Sequence, residues 1–206
     1  MKIDARSSRG PELYSTLVAV ITPRPIAWVT TIDDSGRVNL APYSFYNIFG
    51  VNPPVVVFSP TIKRDGSKKD TQRNIEANGE FVLNAAVESL ASVLNESAAE
   101  WGPEDSEVER LGLETAPSTI VRPPRLVASP VAIECRCLQI LPLGEGPGSS
   151  NLVIGEILCL DIDDAILGPD GRVDPVLLGA IGRLGGDDYC RTIDVFRLGR
   201  PQLPRV

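Results

Sequence analysis

Thr22-Pro23-Arg24-Pro25-Ile26-Ala27-Trp28-Val29-Thr30-Thr31 opens the most telling run of this chain, which ends at Asn84. Residues 17–21 are apolar, Pro23 and Pro25 interrupt them, and 26–32 resume with β-branched residues and Trp28. Proline cannot donate to a central ladder, so this reads as two strands, or as one strand broken at the prolines. Asp33-Asp34-Ser35-Gly36 makes a tight turn with glycine free for positive φ. Residues 37–41 return as the second arm of a hairpin. Val55-Val56-Val57-Phe58-Ser59 is an apolar run of strand length, and the Pro53-Pro54 pair before it cannot lie inside a helix. Residues 61–69 are polar and basic, hence a loop. Asp70 or Thr71 caps a short helix that reaches Asn78 and stops at Gly79, and residues 81–84 form another strand.

Outward from that run, Val87, Leu90, Ala91, Leu94 and Ala98 recur at helical spacing and predict a helix over 87–100. A second helix is predicted from Pro103 to near Gly112, with Glu104, Asp105 and Glu107 at its positive end. Residues 130–140 and 152–160 alternate as two strands around a connection, 141–151, rich in Gly, Pro and Ser. Asp170-Gly171 is a turn, and 176–181 are apolar but too short to type. About six or seven strands result, with the helices grouped mid-chain. That grouping opposes a doubly wound parallel sheet and predicts a mainly β chain, an antiparallel barrel with helical insertions.

A chain of 206 residues, 43% hydrophobic and 23% charged, is sized for one soluble domain spanning 1–206, with a core that needs neither disulfide nor metal. Its net charge of -7 opposes general nucleic-acid binding. Lys63, Arg64, Lys68 and Lys69 nevertheless form a local basic cluster able to hold one phosphate. No apolar run approaches the roughly 20 residues of a membrane span, and the start Met1-Lys2-Ile3-Asp4 lacks the apolar core of a secretion signal. A cytoplasmic location is the expectation, with no membrane partner. Cys135, Cys137, Cys159 and Cys190 include no C-x-x-C pair and read as neither a zinc site nor a disulfide framework. Cys135 and Cys137 alternate on a strand and point to one face, as buried inert thiols rather than redox groups. Histidine is absent altogether. That excludes a serine-histidine-acid triad and removes the commonest general base and metal ligand. Any chemistry must run without imidazole, and no metal site is expected.

Several segments carry groups suited to a ligand, each with a plain structural reading beside it. Thr30 and Thr31 supply adjacent hydroxyls, of which alternation lets only one enter a site; as residues they are also ordinary strand formers. Ala41-Pro42-Tyr43-Ser44-Phe45-Tyr46-Asn47 mixes rings with small polar donors, as a segment lying along a planar ligand would, or as an aromatic core strand with a turn. Ser59 ends a strand and leads into the basic loop. Lys69-Asp70-Thr71 then opens a helix, either a phosphate site or a simple capped helix. Arg183-Leu184-Gly185-Gly186 reads as a tight turn more readily than as a phosphate cradle. The chain has neither G-x-G-x-x-G after a strand nor G-x-x-x-x-G-K-[ST], so nothing supports a Rossmann unit.

The order and spacing of these segments, with the tail Gly182 to Gly186, Tyr189, Arg191-Thr192, Asp194, Phe196 and Arg200-Pro201, resemble the flavin reductase-like family of FMN-binding split barrels. The resemblance spans nearly the whole chain and is weakest over 96–127 and 143–150. It implies a six-stranded antiparallel Greek-key split barrel with added helices, assembled as a homodimer. It implies FMN, tightly bound or exchangeable, beside Thr30, Thr31, Tyr43, Ser44, Phe45 and Asn47. Ser59, Lys69, Asp70, Thr71 and Asn74 would surround the ribityl-phosphate. The implied activity is NAD(P)H:flavin oxidoreduction, often on behalf of a partner monooxygenase, with the flavin rather than a protein side chain carrying the chemistry. Many such reductases carry a histidine near the nicotinamide side; this chain has none, and Arg183 or Tyr189 would occupy that region. That departure keeps open an FMN-binding electron carrier of the flavoredoxin type, reduced by a protein partner, and beyond it a barrel that has lost its ligand.

Overall fold

The computed structural model describes residues 1–8, 10–102 and 104–201. Helix α1 (Pro11–Val20) precedes four strands: β1 (Ala27–Ile32), β2 (Val38–Tyr43), β3 (Tyr46–Val51) and β4 (Pro54–Phe58). Helix α2 (Asp70–Asn78) leads into β5 (Glu80–Ala85), then α3 (Ala91–Glu96), α4 (Glu107–Arg110) and the short pair β6 (Thr115–Ala116) and β7 (Arg125–Leu126). A long hairpin follows, β8 (Val131–Leu143) and β9 (Ser150–Ile162). The chain then passes through α5 (Pro175–Leu178) into a small hairpin, β10 (Ile181–Arg183) and β11 (Tyr189–Arg191).

Seven strands form one antiparallel sheet in the order β2-β1-β5-β8-β9-β4-β3. Its edges are β2 and β3, yet only Ser44 and Phe45 separate them in sequence. The three Cα steps from Tyr43 to Tyr46 reach at most about 11 Å. Opposite edges therefore meet at this corner, and the sheet must curl into a barrel left open between β2 and β3. The Ser59 amide, just past β4, donates to the Phe45 carbonyl at 2.9 Å and fastens the corner.

Alternation along β1 gives the sheet a core on each face. Ala27 and Val29 point into the barrel with Phe58, Phe81, Cys135 and Val153. Trp28 points out, with Leu40, Leu94, Leu126 and Ile181. Inside the barrel, Phe58 meets Phe81 edge-on at 5.4 Å and Tyr43 at 5.2 Å. Gly155 of β9 lies flat against the Phe81 ring, where a Cβ would fall 2.9 Å from Cε1 and nearer still to Cζ.

Several expectations change. The apolar run 17–21 is not a strand but belongs to α1, which has Pro11 and Glu12 in its first turn. Its last carbonyls are held by a side chain. The buried Arg24 guanidinium donates to the carbonyls of Val18 and Ile21, to Leu184 O at 2.8 Å, and to Ser44 Oγ at 3.5 Å. The helix expected over 87–100 is shorter. Val87 bridges to Ala180, a 3-10 turn spans Glu88–Leu90, and α3 ends where Ser97 Oγ turns back to Leu94 O at 2.8 Å. Of the helix expected over 103–112, Pro103 lies outside the described residues; α4 is one turn, capped by Ser106. At α2 the cap position belongs to Lys69 rather than Asp70 or Thr71, and Gly79 ends the helix at φ 75° as expected. Strand β3 was not anticipated, and β8 and β9 run several residues further than the alternation indicated. Residues 175–181 divide into α5, capped by Asp174, and β10. All four cysteines are free, and burial pushes the Cys135 thiol far up. Among the described residues no helix is long and apolar enough to cross a membrane.

Edge strand β2 would leave outward backbone groups bare. The α4 segment covers them: Ser106 Oγ donates to Val38 O at 2.6 Å, and the Leu40 amide donates to the Glu107 carboxylate at 2.9 Å. Glu107 is only 7% exposed, and burial pushes its carboxyl above the ordinary range against the downward pull of the Leu40 amide.

Two outcomes are expected. Overpacking a core costs about 1–3 kcal/mol, so Gly155→Ala should lower the thermal unfolding midpoint by several degrees. A carboxyl whose folded pKa is raised costs stability once it ionises. Glu107→Gln, which keeps an acceptor for Leu40, should match the parent below about pH 4, where both forms are neutral. It should then become the more stable as the pH rises through the raised value, in unfolding curves recorded from pH 4 to 8.

Candidate functional site

The open seam of the barrel leads to a cleft of about 560 Å³, within the range of about 300–1,000 Å³ common for small-molecule sites. One wall is β2, whose alternation presents Asn39, Ala41 and Tyr43 together. The second is the chain from Ser59 through Lys63 and Lys69 to Thr71. The third runs from Ser97 past Trp101 to Glu107.

Each wall is held from behind. The turn between β8 and β9 grips the 60–63 loop through Asn151 N to Pro60 O at 3.0 Å, Ile62 N to Ser149 O at 2.9 Å, and Gly148 N to Ile62 O at 3.0 Å. The third wall is tied down by the buried Trp28 indole, which donates to Ser97 Oγ at 2.9 Å, and by the Ser106 and Glu107 contacts to β2. Helix α2 is fixed on the β1–β2 ladder by amide-to-hydroxyl bonds. Asn74 Nδ2 donates to Thr31 Oγ1 at 3.0 Å, and Asn39 Nδ2 donates to Thr71 Oγ1 at 2.8 Å.

The cleft carries both charges: Asp65, Asp70, Glu100 and Glu107 line it with Lys63, Arg64 and Lys69, and the side at the start of α2 suits an anion. No side chain caps α2, so its first-turn amides and the positive end of its dipole face the cleft. Lys63 pairs with Asp70 at 3.1 Å, Arg73 also pairs with Asp70, and Lys68 pairs with Glu76 at 2.7 Å. Among the described residues Lys69 and Arg64, both at the cleft, have no carboxylate partner. Two buried hydroxyls at the cleft, Ser59 Oγ and Tyr43 OH, have no hydrogen-bond partner. Burial pushes the Tyr43 phenol well above its ordinary value; Thr71, whose Oγ1 already accepts from Asn39, lies near enough to pull the other way but makes no hydrogen bond of normal geometry with it. Tyr43 is therefore a neutral donor. Buried polar groups are seldom left unpaired, and two on one cleft, beside free amides and a free lysine, fit a ligand with phosphate and carbonyl acceptors. Among the described residues no cluster suits a metal ion.

The residues expected at a site divide into three sets. Tyr43, Ser59, Lys69, Asp70 and Thr71 line the cleft, while Ser44 and Phe45 line an adjoining recess together with Ser59 and Lys69. Thr31 and Asn74 lie behind, holding α2 in place; Asn74 also lines a smaller pocket with Asn39 and Asp70. Four do not reach the cleft. Thr30 faces the outer core, donating to Pro124 O at 2.7 Å. Asn47 is exposed on β3 and accepts from the Ile48 amide at 2.8 Å. Arg183 and Tyr189 stack on each other, guanidinium over ring at 4.4 Å, and Tyr189 donates to Asn95 at 3.4 Å. Asn39, Trp101 and Glu107 were missed. For Asn39 the signal was available, since it shares a strand face with Ala41 and Tyr43. For Trp101 and Glu107 nothing in the local pattern ties them to a site.

Comparison with known proteins gives the same architecture. The chain is similar to component B of nitrilotriacetate monooxygenase from Bacillus cereus: 32% identical, covering 96% of this chain and 98% of that one, at a TM-score of 0.90. It is similar to 2-nitrobenzoate 2-nitroreductase of Pseudomonas fluorescens: 32% identical over 100% of this chain and 99% of that one, TM-score 0.88. The split barrel domain protein of Shewanella frigidimarina shares the fold at TM-score 0.83, with 21% identity over 98% of this chain and 100% of that one. The mostly antiparallel sheet is thus the flavin reductase split barrel. The flavin reductase like domain matches residues 20–180, from the last residue of α1 to the residue before β10, and the chain belongs to that family.

Proposed function

We propose that the protein is an FMN-binding flavin reductase, one domain over 1–206, that transfers hydride from NAD(P)H to flavin. The observation that carries this reading is the pair of buried, unpartnered hydroxyls, Ser59 Oγ and Tyr43 OH, facing one cleft beside the uncapped start of α2 and the free Lys69. FMN would supply the hydride-accepting ring, and the chain would supply placement. Lys69, Ser59, Thr71 and the first amides of α2 would hold the phosphate. Tyr43 would donate to a ligand acceptor deeper in the cleft. Trp101 and the Glu107 segment would shield one side from water.

The 32%-identical neighbours are named as a monooxygenase component and a nitroreductase, which supports redox work for a partner oxygenase. The exposed Ile48, Phe49 and Val51 on edge strand β3 support a homodimer. The location proposed is the cytoplasm. A second reading, an FMN electron carrier reduced by a protein, draws on the absence of histidine and on the distance of Arg183 and Tyr189 from the cleft lining.

The first test is optical. Freshly purified protein, or protein given FMN, should show a flavin band that bleaches in stopped flow on adding NADH or NADPH. Bleaching by a reduced ferredoxin-type donor alone would leave the carrier, and no band with excess FMN would remove both readings. The phosphate seat is tested separately. Losing a charge-assisted hydrogen bond costs about 1.5–3 kcal/mol, so Lys69→Ala should weaken FMN about 10- to 150-fold and leave riboflavin unchanged. Ser59→Ala should move two quantities in opposite directions. It removes an unpaired buried hydroxyl, so the ligand-free protein should melt higher, while FMN should bind less tightly.

A further inference from the structure

Glu107 stands where two cavities meet. With Asn39 and Asp70 it lines both the cleft and a smaller pocket of about 220 Å³ beside it. Its Oε2 accepts from the Leu40 amide at 2.9 Å, the contact that fixes it to the edge of β2. Among the described residues Glu107 forms no ion pair. The cations of the smaller pocket are taken up elsewhere, Arg37 by Asp33 and Glu104, and Arg73 by Asp70. Lys63 of the cleft also goes to Asp70, and Lys69 and Arg64 line the cleft without pairing with Glu107.

A carboxyl that is 7% exposed and has no cation beside it keeps its proton more readily than one in water. The groups that face it push the same way. Asp70 of α2 and Asp105 of its own segment repel a negative charge there. Tyr43 faces it from β2 as a neutral phenol, and the exposed Asp65 and Glu100 add no positive charge. Burial, with the two aspartates behind it, holds the carboxyl above its ordinary range, against the pull of the Leu40 amide and of its own. A neutral carboxyl donates as well as accepts. With Oε2 taken by Leu40, the proton belongs on Oε1, which has no hydrogen-bond partner among the described residues.

We propose that Glu107 is a ligand-binding residue that works as the neutral acid, donating from Oε1 to an acceptor on the heterocycle of the ligand, so that filling the cleft is coupled to uptake of a proton. This rests on the flavin reading above and deepens it. The start of α2 and Lys69 take the phosphate at one wall, while Glu107 and Tyr43 meet the ring at another. The cleft then selects a heterocycle whose edge carries acceptors, and it fills more readily as the pH falls.

Titration calorimetry of the full-length protein with FMN and with riboflavin, in buffers of different ionisation enthalpy from about pH 5 to 8, counts the protons taken up per ligand bound. Glu107→Gln and Glu107→Ala accompany the parent, with melting curves to confirm that they fold. Glutamine keeps an acceptor for Leu40 and an N–H donor for the ligand at every pH. In the parent, affinity for both flavins should fall, by up to about tenfold per pH unit, once the pH passes the value at which Glu107 ionises in the empty protein. Over that window the parent should take up as much as about one proton more than Glu107→Gln. The FMN phosphate ionises at about pH 6, but parent and variant share that contribution and riboflavin lacks it. Glu107→Gln should bind both flavins as the parent does at the acid end and keep that affinity to the alkaline end. Glu107→Ala should lose about 2- to 13-fold for both. A purely structural role would lower affinity without changing the proton count. Equal proton counts for the parent and Glu107→Gln overturn the proposal, as does an effect of either variant on FMN that spares riboflavin. If the parent binds neither flavin at any pH, the flavin reading falls and takes this proposal with it, an outcome distinct from binding with an unchanged proton count.

Discussion

Two residues join the opposite edges of a seven-stranded sheet, and the rest of the molecule follows from that short link. A flat sheet of this order would hold β2 and β3 far apart, at strand spacings of about 4.8 Å each. Ser44 and Phe45 cannot bridge such a gap, so curvature is imposed by covalent connectivity as well as by side-chain packing. Because β2 and β3 meet at a corner without pairing along their length, the cylinder keeps a slit. The cleft lies on the β2 side of it. The residues that line it come from chain positions as distant as Asn39, Ser59, Thr71 and Trp101, gathered there by the β8–β9 turn, α2 and the Trp28 indole.

Two kinds of polar burial coexist around that slit. Thr31, Asn39, Thr71 and Asn74 bond to one another and fix the angle of α2 against the ladder. Buried bonds of this kind rigidify their surroundings. Ser59 and Tyr43 are the opposite case, each a buried hydroxyl left without a partner at a cost of about 1–3 kcal/mol. The paired set holds the unpaired ones at fixed positions, so the geometry of the donors is set before any acceptor arrives. Preorganisation of this sort converts stability of the empty protein into affinity for a ligand.

Much of this was legible in the residues, and the parts that were not share a cause. The hairpin of β1 and β2 followed from Asp33 to Gly36, the stop of α2 from Gly79, and the antiparallel class from the grouping of helices. The lining of the candidate cleft and its recess was legible where the chain runs continuously along them, from Tyr43 to Phe45 and from Ser59 to Thr71. What escaped depends on partners remote in sequence. The run at Leu17 has strand composition but no strand to pair with, and it is helical because Arg24 takes its last carbonyls. Thr30 and Thr31 look alike in sequence, yet alternation sends the first to Pro124 and the second to Asn74. Glu107 reaches the cleft because α4 covers the edge of β2, and Trp101 follows Ser97, which the Trp28 indole holds; no local periodicity encodes either contact.

The Arg24 knot bears on how the molecule is made. One guanidinium gathers the end of α1, Ser44 beside the slit, and the carbonyl of Leu184, which lies 160 positions downstream. A nascent chain emerging from the ribosome exposes Arg24 and Ser44 early, while Leu184 is still unsynthesised. Until the last hairpin arrives, that positive charge has an acceptor missing and cannot be stripped of water cheaply. The end of the N-terminal helix and the Ser44 corner therefore gain their full set of guanidinium bonds only when the last hairpin is in place.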